Sequence, residues 1–236
     1  MELELYAVKF GESLFHLRNI YRDTNNSEEL VKISWSYYIA KHNNKTIFID
    51  TGFREENVAK QWGITFTDVE FELESIINNL SVVDTVIITH SHFDHIENLD
   101  LFNNPEIIIS KNEYDIALQQ CSQSIKEKLL QCNIVTVENE YVYNDLFRFK
   151  VIGGHSNGSS VVYFESNNNK YIITGDECYW CDNMLSNRPI GIYSSTENNE
   201  RFLNDTHSSG LIPLPFHDLK IFEQYSAISK NIVRIL

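Results

Sequence analysis

Residues 82–95, VVDTVIITHSHFDH, join a predicted strand to a dense cluster of polar side chains. The apolar run up to Thr89 is typical of a strand buried on both faces. Directly after it, three histidines and one aspartate fall within residues 90–95. Imidazole and carboxylate groups bind zinc, iron or manganese, and alternate ligands can direct two histidines to one ion and the other two groups to a neighbouring ion. The segment therefore indicates a metal site at the end of a strand. The alternative, a polar turn whose histidines occur by chance, is disfavoured because so many potential ligands lie so close together.

Three further titratable side chains each follow a short predicted strand. Taken alone, each could equally be an ordinary core or surface residue. Functional sites in α/β proteins collect at one end of the strands, so these side chains and the cluster at 90–95 are expected to converge. They are His155, Asp176 and His217. The other histidines, His16, His42 and His207, lie outside the pattern and are interpreted as surface or structural residues.

Composition and charge limit the classes of function. The chain has 236 residues, 42% hydrophobic and 22% charged, as in ordinary globular domains. Nineteen Lys and Arg against 33 Asp and Glu give a net charge of −14, which disfavours partners such as nucleic acid or an anionic membrane. No apolar run reaches the roughly 18 residues of a transmembrane helix, and the opening MELELYAVKF does not resemble a secretory signal. A cytoplasmic location is therefore expected.

The four cysteines are too few for a disulfide framework in a chain of this length. Cys178 and Cys181 form a Cys-x-x-Cys pair. In thioredoxin-like proteins such a pair opens a helix after the first strand of a βαβ unit, whereas here it lies late in the chain. Two partly buried thiols are the preferred interpretation, with a redox pair as the alternative.

The order of predicted elements favours an α/β sandwich in which two sheet-and-helix halves pack face to face. No repeat or linker is visible, so one domain is expected over residues 1–236. Strands are predicted at 2–10, 34–40, 46–50, 82–89, 134–137, 146–152, 160–165, 170–174 and 211–214, with a hairpin turn at 42–45. Helices are predicted from Thr67 or Asp68 to about Leu80, from the capping box of Ser110 and Glu113 towards Leu130, and from about Leu219 to the end.

Four short segments resemble the sequence pattern of one large hydrolase family. HSHFDH at 90–95 is similar to its His-x-His-x-Asp-His signature, and IFIDTG at 47–52 is similar to its early Asp-Thr-Gly turn. GGHSNGSS at 153–160 resembles its third-histidine loop, and ITGD at 173–176 resembles its bridging-aspartate strand. Over its whole length the chain thus resembles the metallo-β-lactamase fold hydrolase superfamily. The resemblance implies a four-layer αββα sandwich, with mixed sheets inside and helices outside.

Within that superfamily, the chain most resembles the N-acyl homoserine lactone hydrolases, the quorum-quenching lactonases. The resemblance rests on the intervals between ligands and on GDECYWCDNMLSNRPIGIY at 175–193. Tyr179 stands three residues after Asp176, where these enzymes carry a tyrosine. Two positions depart from their pattern, because Phe216 replaces the glycine before the last histidine and Asn157 stands where proline is common. Both departures bear on the shape of the substrate pocket.

The resemblance also implies a dinuclear metal site with seven ligands. Its ions are expected to be two divalent metals, with zinc first and iron or manganese as alternatives, because histidine and aspartate accept all three. A hydroxide held between two ions would attack a substrate carbonyl, so that no side-chain nucleophile is needed. The implied ligands are His90, His92 and His155 for one ion, Asp94, His95 and His217 for the other, and Asp176 as a bridge.

Three other roles follow from the same resemblance. Asp94 would shuttle a proton to the leaving oxygen, and Tyr179 would donate a hydrogen bond to the substrate carbonyl. The alternative for Tyr179 is an aromatic side chain packed beside Trp180. Asp50 would accept the free N–H of a ligand histidine, or would simply end its strand in a turn.

The sequence thus predicts a metal-dependent hydrolase that opens a lactone ring, with an N-acyl homoserine lactone as the preferred substrate. A thioesterase of the glyoxalase II kind, or another hydrolase of small esters, is the alternative enzyme, and a metal-binding sensor or interaction module is the non-enzymatic one. Monomer and homodimer both stay open. Trp35, Tyr37 and Tyr38 could line the pocket, a dimer face or the core.

Overall fold

The computed structural model describes residues 2–77 and 79–236. Its strands are β1 Glu4–His16, β2 Leu30–His42, β3 Lys45–Ile49, β4 Thr65–Phe66, β5 Thr85–Ile88, β6 Glu106–Ser110, β7 Asn133–Val137, β8 Glu140–Tyr143, β9 Phe147–Val151, β10 Ser160–Ser166, β11 Asn169–Ile173, β12 Ile212–Leu214, β13 Ser226–Ala227 and β14 Ile232–Arg234. Its helices are α1 Leu17–Ile20, α2 Glu56–Gln61, α3 Glu70–Leu73, α4 Phe93–Ile96, α5 Lys111–Gln120, α6 Gln123–Gln131, α7 Cys181–Leu185, α8 Thr196–Thr206 and α9 Lys220–Gln224, with 3-10 turns at Arg22–Thr24, Leu99–Leu101 and Gly175–Glu177.

The first sheet has the strand order β13-β14-β1-β2-β3-β5-β6-β7, and β4 pairs with β1. Its first part is antiparallel, and β3, β5, β6 and β7 are mutually parallel. Strand β5 is buried along its whole length, as its unbroken apolar sequence predicts. The long hairpin of β1 and β2 and the predicted turn at 42–45 are both present, and the two central turn residues, Asn43 and Asn44, have positive φ angles.

The second sheet has the order β12-β11-β10-β9-β8. One core of buried side chains joins the facing sides of both sheets. A smaller cluster, which includes Val161, Phe202 and Leu203, lies between the second sheet and α8, while α5 contacts β6 and β7 of the first sheet. The layers therefore run helix, sheet, sheet, helix, which confirms the predicted αββα sandwich.

The helix predicted up to Leu80 is wrong in length. The helix begins at Glu70 with Val69 as its N-cap, so neither Thr67 nor Asp68 is the cap, although the side chain of Asp68 accepts a hydrogen bond from the Glu70 amide at 3.0 Å. It ends at Leu73, because the Ser75 hydroxyl then binds the Glu72 carbonyl oxygen at 2.6 Å, a local contact that competes with helix. The apolar side chain of Phe71 within this segment is 85% exposed. Part of this predicted helix, Asn78, lies outside the described residues, as does Met1 at the start of the predicted domain.

The single helix predicted from Ser110 towards Leu130 is also wrong, since the chain forms α5 and α6 with a break at Cys121. Ser110 does cap α5, as its hydroxyl accepts a hydrogen bond from the Glu113 amide at 3.2 Å. At the break, the Cys121 thiol contacts the Ser91 carbonyl oxygen at 3.7 Å and the Ser122 amide donates to Glu97 at 3.1 Å. These tertiary contacts replace the helical bonds that a continuous helix would make.

The last quarter of the chain differs from the sequence prediction in a similar way. The closing helix is confined to α9, and the chain then returns to the first sheet as β13 and β14. All four cysteines are free thiols, Cys178 fully buried and Cys181 partly so. Within the described ranges, no helix is long and apolar enough to cross a membrane.

Candidate metal centre

Each predicted ligand lies just beyond the carboxyl end of a strand. Strand β5 leads into the cluster at 90–95, and β9, β11 and β12 lead to His155, Asp176 and His217. In the second sheet, β9 and β11 both run antiparallel to β10, and β12 is parallel to β11, so the three ligand-bearing strands end at the same edge. The topology therefore brings the side chains of both sheets together.

Three histidines form the first group of potential ligands. The Nδ1 atom of His92 lies 3.0 Å from Nε2 of His90 and 3.0 Å from Nε2 of His155. His90 and His155 are buried, while His92 is exposed. The ligand atoms of the three residues lie within 4.8 Å of one another. These distances between the ligand atoms are short enough for a single ion to contact all three rings.

A second group combines carboxylate and imidazole. His95 Nε2 lies 3.0 Å from Asp94 Oδ2, and His217 Nε2 lies 3.6 Å from the same oxygen. All three residues are buried, and their ligand atoms again lie within 4.8 Å of one another. The two groups share no residue, so two ions could be held side by side.

Asp176 stands between the two groups, with one oxygen towards each. Its Oδ2 lies 3.5 Å from His155 Nε2 and 3.9 Å from His90 Nε2. Its Oδ1 lies 3.4 Å from His95 Nε2 and 3.3 Å from His217 Nε2. Asp176 Oδ1 and His95 Nε2 are buried without a hydrogen-bond partner. Buried polar atoms are normally paired, so these two orphaned atoms fit a bound cation.

The outer ring nitrogens of three of these histidines are held by hydrogen-bond acceptors. Nδ1 of His155 lies 3.1 Å from the Ile192 carbonyl oxygen, and Nδ1 of His217 lies 2.8 Å from that of Ser34. Because Nδ1 donates, Nε2 of each ring keeps a lone pair directed into the cluster. This is the arrangement that metal-binding histidines usually show.

Asp50 holds the third ring in the same way. Its Oδ2 accepts a hydrogen bond from His95 Nδ1 at 2.7 Å, and its carboxylate also accepts from the amide and hydroxyl of Thr89, at 2.7 and 2.6 Å. The structure thus places Asp50 against a predicted ligand, as the resemblance implies. Its φ of 60° belongs to the turn that follows β3.

Burial sets the protonation of the two buried histidines of the first group, His90 and His155. It lowers the pKa of His90 well below the usual value, and repulsion from His95 lowers it further. Burial also lowers the pKa of His155 to about 4, although Asp176 opposes this. Both rings are therefore neutral at neutral pH, the form that binds metal.

The second group is electrostatically coupled. Burial disfavours charge on His95, but Asp94 and Asp176 outweigh it and raise its pKa well above the usual value. Burial likewise disfavours a charged Asp176, but His217 and His95 lower its pKa well below the usual value. Asp176 is thus ionised and His95 carries a proton in the absence of metal, so a divalent cation that binds His95 would displace this proton.

A mainly apolar cavity of about 200 Å³ opens beside the cluster. Tyr179 forms part of its wall, with its ring stacked on that of His217 at 5.2 Å between centroids. Burial, together with the negative charges of Asp176 and Asp94, raises the pKa of Tyr179 well above its usual value, so its hydroxyl keeps its proton. The apolar part of the wall consists of Phe15, Ile33, Trp35, Trp62, Phe93 and Ile192.

Neither of the two residues that depart from the family pattern, Phe216 and Asn157, lines this cavity. Phe216 is buried, with its ring 5.1 Å from that of His95 and 5.2 Å from that of Tyr38. Asn157 is exposed, and its carbonyl oxygen accepts a hydrogen bond from Asn112 at 3.1 Å. Of the three aromatic residues left open above, Trp35 lines the cavity, whereas Tyr37 and Tyr38 belong to the core.

Sequence reasoning missed two buried glutamates that support the ligand loops. Glu177 accepts hydrogen bonds from the amides of Gly154 and His155, at 2.9 and 3.0 Å, and burial raises its pKa. Glu113 was assigned only to the cap of α5, yet its carboxylate contacts both histidine loops. The sequence carries no signal for either contact, because a glutamate at these positions is also typical of an exposed helix start.

Part of this chain is similar in sequence to known proteins. A sequence profile described as the metallo-beta-lactamase superfamily matches residues 31–112. The N-acyl homoserine lactonase AiiA of Bacillus thuringiensis subsp. kurstaki is 26% identical over 169 residues, which cover 65% of this chain and 67% of that protein.

Two solved structures show the same fold. An N-acyl homoserine lactone hydrolase with N-hexanoyl-L-homoserine bound at its catalytic metal centre has a TM-score of 0.79 and 18% identity, covering 98% of this chain and 100% of its own. AidC, a dizinc quorum-quenching lactonase, has a TM-score of 0.68 and 16% identity, covering 99% and 94%. The chain is thus similar in sequence to the metallo-beta-lactamase superfamily over residues 31–112 and to an N-acyl homoserine lactonase over 169 residues, and it shares the fold of these two solved structures.

Proposed function

We propose that this protein is a dinuclear metal hydrolase that opens the ring of N-acyl homoserine lactones. The ligands proposed for its two ions, zinc first among the candidates, are the seven residues His90, His92, Asp94, His95, His155, Asp176 and His217. The observation that carries the proposal is the placement of Asp176, whose two oxygens face two separate groups of ligand atoms. The activity named for the lactonase relative supports the choice of substrate.

The residues around the cluster suit the hydrolysis of an ester bond. Two divalent ions, when bound, would activate water and polarise the ester carbonyl. Tyr179 keeps its proton and lines the same cavity, and its hydroxyl would donate to the carbonyl oxygen as negative charge develops there. Asp94 also lines the cavity, and it would carry a proton from the attacking water to the ring oxygen that leaves. The products are a carboxylic acid and an alcohol on one open chain.

The cavity favours a small substrate with an apolar arm. Its volume of about 200 Å³ lies below the roughly 300–1,000 Å³ of sites for drug-sized ligands. Aromatic and aliphatic side chains form the wall away from the ligands, which suits an acyl chain. Short and medium acyl chains are therefore expected to bind better than long ones.

The test is acid release by the zinc-loaded protein from N-hexanoyl- and N-dodecanoyl-homoserine lactone in weak buffer with a pH indicator. The proposal expects fast acid release from the hexanoyl substrate, lost in Asp176→Asn and unchanged in Asp205→Asn, an exposed aspartate on α8.

Two other outcomes would contradict the proposal. Cleavage of a thioester without cleavage of either lactone would favour a thioesterase of the glyoxalase II kind. Two bound ions with no turnover of lactone, thioester or simple ester would favour a sensor or interaction module.

A further inference from the structure

Glu113 joins the two loops that carry the first three histidines. It lies in the first turn of α5, and its side chain is buried beneath the loops. Oxygen Oε2 accepts hydrogen bonds from the amide and hydroxyl of Ser91, at 2.8 and 2.7 Å. Oxygen Oε1 accepts from the hydroxyl of Ser156 at 2.6 Å and from the amide of Gly158 at 2.9 Å. One carboxylate thus spans the loop of residues 90–92 and the loop of residues 155–158.

The chemistry of the contacts requires a carboxylate. All four partners of Glu113 are donors, and an ionised carboxylate has about four lone-pair sites with no proton of its own. A serine hydroxyl can rotate to accept a hydrogen bond, but the amides of Ser91 and Gly158 can only donate. If a neutral amide side chain replaced this carboxylate, its NH₂ group would face the backbone N–H of one of the two loops. Two donors would then oppose each other, and that loop would lose its acceptor.

The close approach of the second loop is also built into the sequence. Gly158 lies so near α5 that a Cβ atom at this position would come within 2.9 Å of Glu113 Cγ and of Asn112 Cβ. Any larger residue at this position would push the loop away from the carboxylate. Gly158, by its lack of a side chain, and Glu113, by its hydrogen bonds, together set the distance between α5 and the loop of His155.

We propose that Glu113 is a positioning residue that selectively sets the affinity of the metal site formed by His90, His92 and His155. This inference rests on the dinuclear site of the proposed function. Ser91 lies between His90 and His92, and Ser156 follows His155, so the carboxylate fixes the two loops that supply this group. The hydrogen bonds of Glu113 in the described part of the chain do not reach Asp94, His95 or His217. The metal affinity of the second site is therefore expected not to depend on Glu113.

The test is a Co²⁺ titration of metal-free Glu113→Gln, followed by visible absorption in the absence of substrate. His92→Ala and His217→Ala serve as reference variants that assign the absorption bands to each site. We expect the dissociation constant of the His92 site to rise about 10- to 100-fold, the range for supporting contacts of metal ligands, with the other site unchanged. The matched control is Asp115→Asn on the same helix, where a half-buried aspartate pairs only with Lys111 in the described structure.

Unchanged binding at both sites of folded Glu113→Gln, or equal weakening of both, would overturn the proposal. If Glu113→Gln does not fold, Ser156→Ala decides the matter, because it removes one hydroxyl donor and leaves the carboxylate. Weaker binding confined to the His92 site supports the proposal, and unchanged binding there overturns it. Because the measurement needs no substrate, a failure to hydrolyse lactones would reject the proposed function and leave this result standing.

Discussion

Tyr179 packs against the candidate metal centre and keeps a protonated hydroxyl beside it. Its ring stacks on His217 and on Phe15, at 5.2 and 5.8 Å between centroids, so the aromatic part has a structural role of its own. Its protonated hydroxyl is the part that the proposed reaction uses. The two roles can be separated by removing one oxygen atom.

We expect Tyr179→Phe to lower kcat/KM for N-hexanoyl-homoserine lactone about 100-fold, the usual effect of losing one donor to a developing oxyanion. The zinc content and the melting temperature are expected to stay at the values of the unchanged protein, since the ring contacts remain. Steady-state kinetics and metal analysis provide the measurement, with Tyr141→Phe on β8 as the control. Equal kcat/KM for Tyr179→Phe and the unchanged protein would remove the hydroxyl from the mechanism.

At this scale the sequence predicts which histidines and aspartates come together at the strand ends, but not the residues that support them. His90 to His95 form a recognisable motif because histidines are rare and the spacing is fixed by a single turn after β5. His155 and His217 can be predicted because each follows an apolar strand. Glu113 cannot be predicted as a support, because its contacts to Ser91 and Ser156 depend on the tertiary approach of α5.

Helices α5 and α6 show why element boundaries are harder to predict than the elements themselves. Both are present where a periodic pattern indicates helix, yet the break at Cys121 depends on contacts with Ser91 and Glu97. Those partners are distant in sequence, so no local pattern marks the break. The N-terminus of α5, by contrast, depends on Ser110 and its neighbours and is predicted correctly.

Ser110→Ala is expected to lower the free energy of unfolding by about 1 kcal/mol, the typical cost of losing an N-cap side chain. Ser122→Ala is the matched control, because Ser122 precedes α6 without a capping hydrogen bond from its side chain. Urea denaturation of the metal-free proteins measures both. If Ser122→Ala lowers the free energy of unfolding as much as Ser110→Ala does, the capping hydrogen bond of α5 is not the cause of the loss.

Helix α3 is fixed to the end of the chain through Glu72. Its carboxylate accepts hydrogen bonds from the amide and side chain of Asn231, at 3.0 and 2.7 Å, and from Ser229. Burial would raise the pKa of Glu72, but these hydrogen bonds outweigh it and lower the pKa. Because the folded-state pKa is depressed, this contribution to stability is present above the unfolded pKa of about 4.3. It is lost as the pH falls through the folded-state value.

We therefore expect the unfolding free energy of metal-free Glu72→Gln to fall less than that of the unchanged protein when the pH is lowered from 6 to about 3.5. The exposed neighbour Glu74 provides the control variant Glu74→Gln. Urea denaturation at a series of pH values gives the comparison. Parallel pH curves for Glu72→Gln and the unchanged protein would contradict the assignment.

In the whole molecule, the candidate metal centre lies where the two sheets meet. One sheet supplies the cluster after β5, and the other supplies His155, Asp176 and His217. Ions bound by residues of both sheets would hold the halves of the sandwich together. Metal binding and global stability are therefore expected to be linked.

Zinc at about 100 times its dissociation constant is expected to stabilise the folded protein by about 2.7 kcal/mol, or roughly 5–10 °C in melting temperature for a chain of this size. Calorimetry with zinc and with a chelator measures the shift. Asp176→Asn, which lacks the bridging carboxylate, is expected to show a much smaller shift. An identical shift in Asp176→Asn would place the zinc elsewhere on the molecule.

The position of Trp35 makes its fluorescence a potential signal of metal binding. The indole ring lies edge-on to the imidazole of His217 at 5.1 Å, and its N–H donates to Ser13 at 2.9 Å, so it is held rigidly beside a proposed ligand. Indole emission is sensitive to charge and to paramagnetic ions at such short range. The tryptophan fluorescence of this chain is therefore expected to follow the arrival of Co²⁺ at the second site without any added dye.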